Sequence, residues 1–151
     1  MVRTLTWSIL AVLEMMLAGC ASGPLTEVVV GPDGLAREVT VLQTKFAPKE
    51  ALKRTAAVFE RLELQRVKPP GYTSPDGGGF FSSELKDWPI ASDAFSGDVR
   101  ARTAAGEAID AYATWQGQGT TSLKITTQLT TPQHAHLVEL IETEMTRGVA
   151  K

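Results

Sequence analysis

One cysteine, two histidines and three aspartates near the middle of the chain are the side chains whose types could support nucleophilic, acid–base or metal chemistry. His134 and His136 are two residues apart. On a helix that spacing points them about 200° from one another, so they cannot chelate one ion together. His134 falls beside a run of apolar residues and is expected to be packed or capping, while His136 is expected on the solvent side. Asp87, Asp93 and Asp98 lie in or beside a long irregular stretch. A hard cation needs several converging oxygens, and their uneven spacing offers no such template, so they read as solvated acids. The triplet Gly77 to Gly79 lacks the spacing and following helix of a phosphate loop, and the chain has no G-x-S-x-G elbow. No catalytic set, metal site or cofactor site is assembled by these residues, and the chain is expected not to be an enzyme.

The cysteine, Cys20, stands apart from the others because of what precedes it. Arg3, the run from Leu5 to Leu13 and the small pair Ala18-Gly19 fill the basic, apolar and cleavage positions of an export signal. A membrane span would need about 20 predominantly apolar residues, and this segment is broken by Thr6, Ser8 and Glu14. The ending Leu17-Ala18-Gly19-Cys20 resembles the lipobox of bacterial lipoproteins. That resemblance implies a diacylglycerol on the Cys20 sulfur, cleavage before it and acylation of the new amino terminus, making membrane lipid a partner. Ala21 stands where an aspartate would imply inner-membrane retention, so the resemblance implies outer-membrane attachment facing the periplasm.

Removing residues 1–19 from the 151 leaves 132, enough for one domain with a single core. Arg3 and Glu14 depart together, so the net charge stays at −2. No basic face is clustered for phosphate, and nucleic acid is not expected as a partner. With its thiol committed to lipid the domain has no internal disulfide and must be held by packing. The chain also lacks asparagine, leaving its turns to Gly, Pro, Asp and Ser.

Residues 20–25 form a tether and 26–150 the domain. Glu27 to Val30 and Ala36 to Thr44 read as strands around the turn Gly31-Pro32-Asp33-Gly34. Pro48 opens a helix whose stripe is Leu52, Val58, Phe59 and Leu62, and Leu62 to Val67 reads as a short strand. Residues 69–96 show no strand or long helix, although Ser83 to Trp88 could make one turn. They hold Tyr72, Phe80, Phe81, Trp88 and Phe95, five of the nine aromatic residues after Cys20. A stretch so aromatic should partly fold down. The five are candidate contacts for a partner or, in the plainer reading, a seal on the open end of the core.

A charged meander follows. Val99 to Thr103 and Ala108 to Trp115 alternate as half-buried strands, and Ala104-Ala105-Gly106 between them sets Arg100 opposite Asp110. The loop Gly117-Gln118-Gly119 sets Tyr112 opposite Lys124 and keeps Trp115, Ala113, Leu123 and Ile125 inside. Arg100, Asp110 and Lys124 then share the outer face as ordinary cross-strand charge pairing. Thr131 is the expected N-cap of a last helix, with Pro132 after it and Leu137, Val138, Leu140, Ile141 and Met145 buried.

The lipobox, the helix Pro48 to Leu62, Ser96-Gly97-Asp98-Val99, the meander through Trp115 and Gly119 and the closing helix together resemble small bacterial envelope lipoproteins of unassigned function. They are similar more loosely to the helix-grip domains of the NlpB-type lipoprotein of the outer-membrane barrel assembly machine. The similarity spans about Lys45 to Arg147. The expectation is an α+β domain, an antiparallel sheet of about five strands with two helices packed on one face, behind a lipoprotein signal peptide. Its expected role is that of a non-catalytic accessory or assembly factor contacting an envelope protein. The alternative is binding of a small apolar ligand between sheet and helices, in a cavity lined by Val99, Ala111, Ala113, Leu123 and Val138.

Overall fold

Alternating burial along two adjacent strands, β6 (Ala108–Gly117) and β7 (Thr120–Thr127), sets the middle of the molecule. The computed structural model describes residues 24–72 and 87–147. Its remaining strands are β1 (Thr26–Val30), β2 (Ala36–Thr44), β3 (Gln65–Val67), β4 (Ile90–Ser92) and β5 (Ser96–Arg102). All pairings are antiparallel, in the order β1-β2-β7-β6-β5-β3, with β4 also on β5. The fold is α+β, with seven strands where about five were expected. The surplus lies at one edge, where β3 pairs with residues 100–102 of β5 and β4 with residues 97–99, end to end.

Both loops of the meander deliver the predicted register. Arg100 faces Asp110 and Tyr112 faces Lys124. Gly106 takes the left-handed conformation, φ 90°, and Thr103 N–H donates to the Glu107 carbonyl across the loop. The second loop is tighter than read, with Gln118 and Gly119 both at positive φ between Gly117 and Thr120. A bulge between Trp115 and Gly117 absorbs the difference, so the apolar residues beyond it stay on the inner face.

The 69–96 segment was read as holding no strand, and β4 corrects that. Ile90–Ser92 is too short to show alternation and is recruited by its turn instead. The Asp93 carboxylate accepts from the N–H groups of Phe95 and Ser96 at 2.7 and 2.8 Å, and Asp93 N–H donates to the Ser96 carbonyl. A Cβ on Gly97 would lie 2.5 Å from the Ala91 carbonyl oxygen and 2.6 Å from Ser92 Cβ; only glycine lets the two strands approach this closely.

Helix α1 (Pro48–Arg61) begins at proline, whose missing N–H would be unpaired there anyway. It ends through Glu63, held at φ 54°, with Glu63 and Leu64 N–H groups donating to the carbonyls of Glu60 and Phe59. This termination uses up Leu62 to Leu64, and so the strand expected from Leu62 begins at Gln65. Helix α2 (Thr131–Arg147) starts one residue before the expected first turn. Thr130, whose N–H and hydroxyl both reach Gln133 Oε1, holds the cap instead, which releases the Thr131 hydroxyl to donate to Glu38. Both helices lie on one face, α1 over β5, β6 and β7 and α2 against β2 and α1. Phe59, Leu52, Ile109, Leu123, Ile125 and Ile141 are the largest apolar side chains sealed between the layers. Arg61 joins Glu144 across the helix pair at 2.9 Å.

Candidate functional site

Cys20, Phe80 and Phe81 lie outside the described residues, as do the signal segment, the glycine triplet and most of the stretch from Ser83 to Trp88. The described chain starts at Pro24 and enters β1 two residues later. The domain therefore begins within six residues of Cys20.

The three described aromatic candidates have separate fates. Trp88 packs its ring 5.6 Å from that of Phe59, tilted by 59°, with the Arg66 guanidinium 5.6 Å from its ring centroid. It closes the core beside β3 and β4, which is the sealing role. Its indole N–H is buried without a hydrogen-bond partner among the described residues. Tyr72 is half-buried, just after a turn in which its N–H donates to the Pro69 carbonyl. Phe95 is 69% exposed at the tip of the β4–β5 hairpin. Its backbone is fixed on both sides, since Asp93 accepts from its N–H and its carbonyl accepts from Trp115 N–H at 2.7 Å. The backbone N–H groups of Phe95 and Ser96 hold the Asp93 carboxyl below its usual range. A rigid mount carrying an exposed ring is the geometry of a contact residue.

On the outer face Arg100 sits 3.1 Å from Asp98 and 3.5 Å from Asp110. Burial pushes the Asp110 carboxyl up, with Arg100 pulling it down and Asp98 adding to the rise. Lys124 lies between Tyr112 and Val41 across its neighbouring strands. Arg100 with Asp98 and Asp110 makes charge pairs on a sheet face that neither described helix covers, and among the described residues they converge on no cleft.

A buried polar chain was missed in the sequence. His134 is 1% exposed. Its Nε2 is 2.7 Å from Thr40 Oγ1 and its Nδ1 is 2.8 Å from Thr127 Oγ1. Leu129 N–H donates to Thr127 Oγ1. The assignment that gives every proton of the chain an acceptor has the Thr127 hydroxyl donating to Nδ1, Nε2–H donating to Thr40 Oγ1 and the Thr40 hydroxyl donating to Thr26 Oγ1, 2.7 Å away. Burial lowers the His134 pKa, and the nearby Glu38 carboxylate partly offsets this. The chain joins β1, β2, β7 and α2. Its signal in the sequence was the excess of threonine at inward positions of β2 and β7, legible only once the strands are paired.

Val99, Ala111, Ala113, Leu123 and Val138 are all buried in one packed core. Two surface depressions, about 300 and 250 Å³, are lined by none of the five; one lies between α1 and α2 beside Arg61 and Glu144, the other between β2 and α2 beside Lys45 and Glu142. Among the described residues no group of three or more His, Cys, Asp or Glu is placed to hold a metal ion, and no helix is long and apolar enough to cross a membrane. Neither protein-family models nor curated proteins give a match to this chain.

Proposed function

We propose that this chain is a lipid-anchored bacterial envelope protein, held by acylated Cys20 in the outer membrane facing the periplasm, and that it acts without catalysis by docking onto another envelope protein. The observation that carries the reading is the apolar run closing on Leu17-Ala18-Gly19-Cys20 immediately ahead of a folded domain. A tether of six residues spans at most about 20 Å, which keeps the domain at the membrane surface. Phe95 is the contact this reading favours, because it is both exposed and rigidly mounted. Trp88 is reassigned to the core. Similarity to small envelope lipoproteins, and more loosely to NlpB-type helix-grip domains, belongs to the same proposal.

The test is a photo-reactive residue at position 95 of the full chain in intact cells, with position 146 on the far end of α2 as the comparison. A discrete adduct with a second envelope protein from position 95 alone supports the docking role. Identical adduct patterns from both positions, or none from either, removes Phe95 as the contact.

A further inference from the structure

The strand next to the tether is the one strand of the sheet whose every residue is exposed. All five residues of β1 are exposed, with Val28 at 64% and Val30 at 66%, and Leu25 and Leu35 flank them in the open. β1 is also terminal in the sheet order, so one side of its backbone has no ladder partner among the described residues. Natural edges are blunted by lysine, proline, bulges or brevity. β1 has none of the first three: its residues are Thr-Glu-Val-Val-Val, and its register on β2 is unbroken. The opposite edge is protected, being divided between two three-residue strands with Gln65, Arg66 and Lys68 beside them.

We infer that β1 is a strand-pairing surface and that its occupant is the β1 of a second copy of this chain. Two identical edges can pair antiparallel only about a two-fold axis normal to the sheet, which puts both helix layers on the same side and matches residues of equal parity. Three registers satisfy this within the strand. Centring on Glu27 opposes two carboxylates. Centring on Val29 leaves Thr26 unpaired. Centring on Val28 uses all five residues of each strand, setting Val28 against Val28, Glu27 against Val29, and Thr26 against Val30. On the helix side, where Thr26 meets Thr40, Val28 and Val30 of both copies then cover one another. A strand of five residues is only about 17 Å long, so the contact is weak between free molecules. Copies held in one membrane plane by their tethers meet at the same height, and this part of the argument rests on the lipid anchor proposed above.

Val28→Cys and Val30→Cys, made singly in the full chain, test the register, because the two positions are equally exposed and Cys20 is occupied by lipid. Across the two-fold the Val28 pair has its Cα atoms about 5 Å apart, inside disulfide range, whereas the Val30 pair is separated by more than 10 Å. Under mild oxidation of membranes, Val28→Cys is expected to give a covalent dimer at least tenfold faster than Val30→Cys. Equal rates, or no dimer from either, overturn the inference while fatty-acid label on the same protein leaves the anchor standing. A Val28-specific dimer without label would retain the pairing and remove the anchor.

Discussion

Replacing His134 with leucine should destabilise the domain at neutral pH and also remove a pH dependence. The imidazole bridges Thr40 and Thr127 at 2.7 and 2.8 Å. Leucine deprives each buried hydroxyl of one partner, although Thr26 and the Leu129 N–H remain. At about 1 to 2 kcal/mol for each lost hydrogen bond in a buried setting, the variant should lose roughly 2 to 4 kcal/mol at pH 7.5. The pH term has a definite sign. Burial holds the folded-state pKa of His134 below the ordinary imidazole value of about 6.5. Below about pH 6.5 the unfolded chain takes up a proton that the folded chain resists, so wild-type stability falls as pH falls, by at most about 1.4 kcal/mol for each pH unit. Above that pH the contribution is fully present and flat. Urea denaturation of wild type and His134→Leu at pH 7.5 and 5.5 gives both quantities. The gap between the two proteins should narrow at pH 5.5 by up to about 1.4 kcal/mol. An unchanged or wider gap would refute a neutral, buried His134, and a variant as stable as wild type at pH 7.5 would refute the hydrogen-bond chain.

Trp88→Ala should cost about 2 to 3 kcal/mol in a urea melt because the ring packs on Phe59, whereas Phe95→Ser, at an exposed position, should shift stability by less than about 0.5 kcal/mol in the same melt. Gly97→Ala forces a methyl against the Ala91 carbonyl and Ser92; a thermal melt should show a loss of about 1 to 3 kcal/mol, and faster amide exchange confined to β4 would localise it. The N-cap of helix α1 is Ala47, which makes no side-chain cap hydrogen bond, so Ala47→Ser, which completes a Ser-x-x-Glu pattern with Glu50, should raise stability by about 0.5 to 1 kcal/mol.

Glycine-terminated loops made the meander legible, because a loop of known length fixes which residues face each other and the apolar alternation permits only one answer. Gly106 and Gly119 therefore carried Arg100–Asp110 and Tyr112–Lys124 from sequence to structure unchanged. β4 was not legible, since three residues cannot display a period and its pairing depends on the Asp93 turn and the absent side chain of Gly97. The aromatic candidates were grouped by their neighbourhood in sequence, yet Trp88 and Phe95 divide because one precedes β4 beside the core and the other caps its hairpin. The His134 chain joins residues from four elements, a convergence that no local pattern carries. The exposure of β1 depended on strand order. Glu27 to Val30 read as one strand of a hairpin with Ala36 to Thr44, and only the sheet topology places it at an edge.

The central claim is the lipid on Cys20, and intact mass of the protein extracted from bacterial membranes tests it most directly, with Cys20→Ser beside it. The expected mass is that of a mature chain beginning at Cys20, heavier than the polypeptide by a diacylglyceryl group and an amide-linked acyl chain, with no such addition in the variant. An unmodified chain, or an acylated Cys20→Ser variant, would contradict it.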